Sequence, residues 1–180
     1  MQRRSLLLAA GASAVLTACG QDPAAGPNRP GVSRADVELL NEALAFEHVE
    51  AAFYAAAAAR DERFAELAAQ EAEHVAALTR AVRDAGGRPV GGADVALRLP
   101  ARDAVPALAL RIEERRAAAS LDLVSRLGNP GLLAAGLALH AVEARHVIAL
   151  RELAGVALAP TEAFGAPARG ALEEVRTWLA

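Results

Sequence analysis

With 180 residues, 54% of them hydrophobic and only 3% aromatic, the chain is long enough for one domain with a substantial core. Its formal net charge of −3, with no basic, aromatic-interleaved patch, argues against a nucleic-acid binder. All nineteen basic residues are arginine, which reads as a compositional bias, and alanine-rich segments with few β-branched runs favour helix over sheet.

Residues 1–18 read as a signal peptide outside the fold, with MQRR as a positive start and SLLLAAGASAVLTA as a short apolar run. That run is too short for a membrane span of about 20 residues. Leu16-Thr17-Ala18-Cys19 resembles the lipobox of bacterial lipoproteins, which makes Cys19 the expected lipidation site. It is the single cysteine, so no intramolecular disulfide can form. Arg3-Arg4 hints only weakly at twin-arginine export, and their removal would take the mature chain from −3 to −5. Residues 19–32, including QDPAAGPNRPGV, read as the lipidated cysteine and a flexible tether. The expectation is an extracytoplasmic protein held at the cell envelope, with the membrane as a partner through its N-terminal lipid.

Residues 33–180 are expected to form the helical domain. Ser33-Arg34-Ala35-Asp36 predicts a capped helix start, and the pattern runs to about Ala59 with Leu40, Ala43, Leu44, Ala51 and Tyr54 on one face. A second helix is predicted from about Asp61 to Ala85, with Phe64, Leu67, Val75, Leu78 and Val82 on its stripe and Gly86-Gly87 as its stop. Residues 88–103 form a long connection. A third helix covers about Ala104 to Leu127, with Leu110, Ala117, Leu121 and Val124 aligned. Gly128-Asn129-Pro130-Gly131 then marks a turn into a fourth helix over about Leu132 to Leu153. A short amphipathic segment near 170–179 carries Leu172, Val175, Trp178 and Leu179, with Trp178 expected to pack on the core. Short, long and short connections between four long helices predict an all-α, ferritin-like four-helix bundle of two antiparallel hairpins joined by a crossover.

Two segments break the apolar pattern in the same way. Glu71-Ala72-Glu73-His74 and Glu143-Ala144-Arg145-His146 each place a carboxylate and an imidazole one turn apart on a core-facing stripe. The first helix of each hairpin also carries acids, Glu47 and Glu50 in FEHVEAAFY and Glu113 and Glu114 in IEERRAAAS. The midpoint of Glu113 and Glu143 falls at the Gly128 turn. The midpoint of Glu47 and Glu71 falls near Ala59, where Ala59-Arg60-Asp61-Glu62 has neither glycine nor proline. A continuous helix there would hold those two carboxylates about 36 Å apart, so the matching symmetry argues for a turn. Four buried carboxylates and two imidazoles would be prohibitively costly unpaired. Two divalent cations would cancel the charge, and carboxylate with histidine suits two Fe or two Mn ions.

FEHVEAAFY, QEAEHVAAL, the Gly86-Gly87-Arg88-Pro89-Val90 connection and AVEARHVIALREL resemble the bacterial ferritin-like domain family, which includes desiccation-associated members, over about residues 36–155. More distantly the chain is similar to bacterioferritin and rubrerythrin. In those relatives a tyrosine follows the first-helix glutamate by seven residues, a spacing that Glu47 and Tyr54 reproduce. The resemblance therefore implies Glu47, Glu71, His74, Glu113, Glu143 and His146 as metal ligands, with Glu50 and Glu114 as alternates and Tyr54 beside the site. Ser120 stands where a second tyrosine is often found, which weakens a radical or redox relay on that side. His140 is weighed as a further supporting residue. Glu73, His48 and Arg145 are expected to face solvent or a neighbouring helix.

The resemblance implies an oxidoreductase-like or stress-protective reaction with oxygen or peroxide, with Fe(II) as another small substrate. The alternatives are a non-catalytic, metal-stabilised envelope protein linked to desiccation, and a helical interaction module. A homodimer is compatible with either, whereas a lipid at every N-terminus would crowd a closed storage shell.

Overall fold

The computed structural model describes residues 31–92, 97–159 and 170–180. The proposed signal peptide and Cys19 lie outside these residues. The described residues contain five α-helices and no strand: α1 (Arg34–Ala58), α2 (Ala65–Asp84), α3 (Val105–Arg126), α4 (Pro130–Leu153) and α5 (Ala171–Leu179). The all-α, ferritin-like architecture predicted from the sequence is the one observed.

Local chemistry sets the helix ends. Ser33 and Asp36 form a capping box, each side chain accepting from the other's backbone N–H at 3.0 Å. Asp36 does more than cap, because its Oδ1 also accepts Gly128 N–H at 2.7 Å and so ties the start of α1 to the α3–α4 turn. Asn129 Oδ1 caps α4 by accepting from Gly131 and Leu132, and Pro130 fills the first helical position. Gly86, at φ +76°, ends α2 in a Schellman motif, with Gly87 N–H donating to Val82 O and Gly86 N–H to Arg83 O.

The α1–α2 turn forms without glycine or proline. Asp61 accepts from Arg63 N–H at 3.2 Å and pairs with the Arg63 guanidinium at 2.6 Å, starting a short 3-10 turn over Glu62–Phe64. Phe64, fully buried, anchors this turn in the core. The crossover runs along α1: Asn41 holds Arg88 O and Val90 N–H, while Arg60 donates to Pro100 O. Asn41 lies in the second turn of α1 and Arg60 just past its C-terminal end, so the two contacts are about 28 Å apart at helical rise. On the other hairpin a Cβ at Gly136 would lie 2.8 Å from Val124 Cγ2, so glycine permits the close approach of α4 to α3.

The core divides into two apolar layers. One holds Leu39, Leu40, Ala43, Leu44, Leu78, Val82, Leu123 and Leu127. The other contains Phe53, Phe64, Ile112 and Leu150, and α5 closes it with Ala171, Val175 and Leu179. Trp178 is only half-buried and lies under the Arg111 guanidinium, 4.1 Å from carbon to ring centroid.

The α3 stripe departs from expectation. Leu121 is 43% exposed, and the buried line instead runs through Ala109, Ile112, Glu113, Arg116, Ser120 and Leu123. Leu110 and Val124 of the expected stripe are buried, but three polar residues interrupt the buried line and hydrophobic spacing alone misplaces Leu121. Helix α4 is long and apolar enough to cross a membrane by length and composition, yet Glu143, His146 and Leu150 are buried against the bundle. Its outer side leaves Leu133, Leu137 and Ile148 exposed.

Candidate metal centre

Between the two apolar layers each of the four long helices contributes acid or imidazole to one buried cluster. Helix α1 supplies Glu47 and Glu50, α2 supplies Glu71 and His74, α3 supplies Glu113 and Arg116, and α4 supplies Glu143 and His146. All eight side chains are at most 2% exposed.

The cluster has two halves that share two carboxylates. Ligand-type atoms of Glu47, Glu71, His74 and Glu143 lie within 4.8 Å of one another, as do those of Glu71, Glu113, Glu143 and His146. His74 Nδ1 stands 3.4 Å from Glu47 Oε2, 3.2 Å from Glu71 Oε2 and 3.6 Å from Glu143 Oε1. His146 Nδ1 stands 3.0 Å from Glu71 Oε1, 3.7 Å from Glu113 Oε1 and 3.5 Å from Glu143 Oε2. Glu71 and Glu143 thus each turn one oxygen to either half. The two imidazoles lie nearly parallel, their centroids 5.9 Å apart.

The surroundings of the two outer glutamates differ. Tyr54 O–H donates to Glu113 Oε1 at 2.7 Å, so the tyrosine of α1 serves the glutamate of the opposite hairpin. Burial pushes the Tyr54 phenol well above its usual range, followed by the charge of Glu113, and the group stays a neutral donor. Glu47 Oε1 instead accepts from the Arg116 guanidinium. Arg116 also places Nε 3.3 Å from Glu50 Oε2 and Nη2 3.8 Å from Glu143 Oε1. Burial works against the Glu47 carboxylate, but Arg116 and His74 hold its pKa well below the ordinary value. Burial raises Glu50 well above that value, and the charges of Glu113, Glu71, Glu143 and Glu47 add to the shift.

The six residues chosen from the sequence come together, and Glu50 joins them. Glu114 does not, because it turns outward to pair with Arg151. Ser120 hydrogen-bonds Ala117 O and His140 Nδ1, both at 2.8 Å, so the two side chains serve each other rather than the cluster. His48 reaches Val90 O in the crossover, while Glu73 and Arg145 are exposed. Two participants escaped the sequence reading. Arg116 was one, and aligning the hairpins would have found it, since it stands three residues after Glu113 as Glu50 stands three after Glu47. The other is Gln70, whose Oε1 lies 2.7 Å from His146 Nε2.

The donor set fits divalent cations. Glu47 Oε2, Glu113 Oε2 and both Glu143 oxygens are buried without a hydrogen-bond partner, as is His146 Nδ1. With Nε2–H donating to Gln70, the Nδ1 lone pair of His146 faces carboxylate oxygens, an arrangement that needs a proton or a cation between them. With Glu50 neutral, the carboxylates of Glu47, Glu71, Glu113 and Glu143 outnumber the single guanidinium of Arg116, and divalent cations would offset the excess negative charge.

Two antiparallel hairpins with this mid-core set, a glutamate from each first helix and Glu-x-x-His from each second, define the class of helical-bundle carboxylate proteins. A family model described as a ferritin-like domain matches residues 35–156, and the chain belongs to that ferritin-like family. A search of curated proteins finds no relative that matches.

Proposed function

We propose that this protein is an envelope-anchored, dinuclear Fe or Mn protein that reacts with oxygen or peroxide. The observation that carries the reading is the pair of four-residue donor sets sharing Glu71 and Glu143. Glu47 with His74 would hold one ion and Glu113 with His146 the other, with Glu71 and Glu143 common to both. Bound there, a pair of redox-active ions supplies two-centre activation of a dioxygen species. The protein's own part is to exclude water, to fix both imidazoles by flanking carboxylates, and to keep the Tyr54 proton on its oxygen while donating to Glu113. A cavity of about 220 Å³ is lined by Phe46, Ala119, the start of α5 and Arg116, the residue that pairs with Glu47. Anchoring rests on the Leu16–Cys19 lipobox resemblance.

Anaerobic loading tests the reading. Near two equivalents of Fe or Mn per chain are expected, falling in Glu71→Ala and His146→Ala, with oxygen or peroxide consumed by the loaded wild type. Unchanged metal content in both variants would remove the site.

One observation favours a second, non-catalytic reading. Without metal, Arg116 and protonated His74 and His146 already offset much of the negative charge, so the cluster could serve stability under stress such as drying. Loaded protein that consumes neither oxygen nor peroxide, while Glu143→Ala lowers the melting temperature, would select this reading.

A further inference from the structure

The two halves of the cluster are built from equivalent positions, yet one difference between them is electrostatic. On α3, Arg116 takes the place that Glu50 takes on α1, three residues past the outer glutamate. It is 1% exposed and pairs with Glu47, Glu50 and Glu143, but forms no ion pair with Glu113. Its contact on Glu143 is Oε1, the oxygen that faces His74 rather than His146. The matching service to Glu113 comes from Tyr54, which is uncharged.

Arginine cannot give up its charge inside a protein and cannot act as a ligand. A fixed positive charge against one half repels a cation there and drains charge from the carboxylates that would bind it. The other half meets only a neutral hydroxyl. At buried distances of a few Å such a difference is worth at least about tenfold in affinity. Arg116 leaves Glu47 Oε2 unpartnered toward His74, so it weakens this half without removing its ligand atom.

We infer that Arg116 orders the loading of the centre: a divalent cation enters the Glu113–His146 half first and the Glu47–His74 half second and more weakly. This rests on the metal-binding reading above and adds a sequence to it. Arg116 is a positioning residue, acting through Glu47 and Glu143.

Titration of the metal-free full chain with Mn²⁺ alone, followed anaerobically by calorimetry and electron paramagnetic resonance, tests it. In wild type we expect two binding steps at least about tenfold apart, with isolated-ion spectra up to one equivalent and spin-coupled pairs only beyond it. His146→Ala should abolish the tight step and His74→Ala the weak one. Arg116→Gln should bring the two steps within about threefold, and Arg116→Lys, which keeps the charge, should retain the gap. Two equal sites in wild type overturn the inference without any variant, as does loss of the tight step in His74→Ala. An unchanged gap in folded Arg116→Gln also overturns it. No Mn²⁺ binding in wild type overturns it together with the metal-binding reading, whereas two equal sites leave that reading standing.

Discussion

Glu50 and Arg116 hold the same position in their two hairpins, three residues past the outer glutamate, and they meet in the core at 3.3 Å. Equivalent positions of the two hairpins thus carry an acid on α1 and an arginine on α3. The guanidinium then spreads over Glu47 and Glu143 as well. That arrangement predicts unequal consequences for the two partners. Arg116→Met strands buried carboxylates and should cost about 3–5 kcal/mol. Glu50→Gln should cost far less, because burial and neighbouring acids already drive Glu50 toward its neutral form. Urea unfolding of the metal-free protein checks the ranking, and equal losses would contradict it.

Tyr54→Phe removes the one hydroxyl that satisfies Glu113 Oε1. The buried oxygen left unpaired should lower stability by about 1–3 kcal/mol without changing helix content. Circular dichroism and a denaturant series on the same sample measure both. A variant as stable as wild type would mean that this hydrogen bond contributes nothing.

The imidazoles give a pH dependence with a definite sign. Burial disfavours the charged form of both rings, but Glu47 and Glu71 outweigh it at His74, raising it to about 10. Glu113, Glu143 and Glu71 do the same at His146, raising it to about 12. Both values lie above the unfolded value near 6.5, so the stability they contribute to the metal-free protein is full below that pH. It is lost as pH rises through about 10 to 12. Unfolding midpoints of metal-free protein should therefore fall between pH 7 and pH 10.5. Cations must displace those protons, so loading near pH 7 should release about two protons per chain. A pH-stat titration that registers no release would contradict the protonated imidazoles.

Asp36 predicts an acid-side effect of the opposite sign. The Ser33 hydroxyl lowers its pKa, burial opposes that, and the backbone N–H groups of Ser33, Gly128 and Asn129 lower it further. Its contribution is present above the ordinary carboxylate value and is lost as pH falls through the lowered one. Asp36→Ala should cost about 1 kcal/mol as a cap at neutral pH. The gap from wild type should narrow in acid, and a gap constant from pH 7 to pH 2 would remove the assignment.

The sequence carries most of this fold because its signals are local and agree with one another. Helix bounds follow from Ser33, Gly86 and Asn129, and the bundle order follows from the connection lengths. The α1–α2 turn has no local breaker, and only the symmetry of the Glu and His positions reveals it; the structure supplies the cause in Asp61, Arg63 and Phe64. The gathering of Glu47, Glu71, His74, Glu113, Glu143 and His146 is legible for the same reason. Arg116 is legible only by aligning the two hairpins, because on its own an arginine beside Arg115 in IEERRAAAS reads as a solvated face until partners from α1 and α4 surround it. Gln70 escapes likewise: it stands one residue before Glu71 but serves a histidine on another helix. Both are tertiary facts that a single helix pattern does not contain.

The polar core between the two apolar layers is proposed as a two-cation site. Anomalous scattering from crystals of Mn²⁺-loaded protein, collected on both sides of the manganese edge, tests it most directly. Two peaks are expected in each chain, one among Glu47, His74, Glu71 and Glu143 and one among Glu113, His146, Glu71 and Glu143. Density at full loading with no anomalous peak in this cluster, or with peaks only at surface carboxylates, would contradict it.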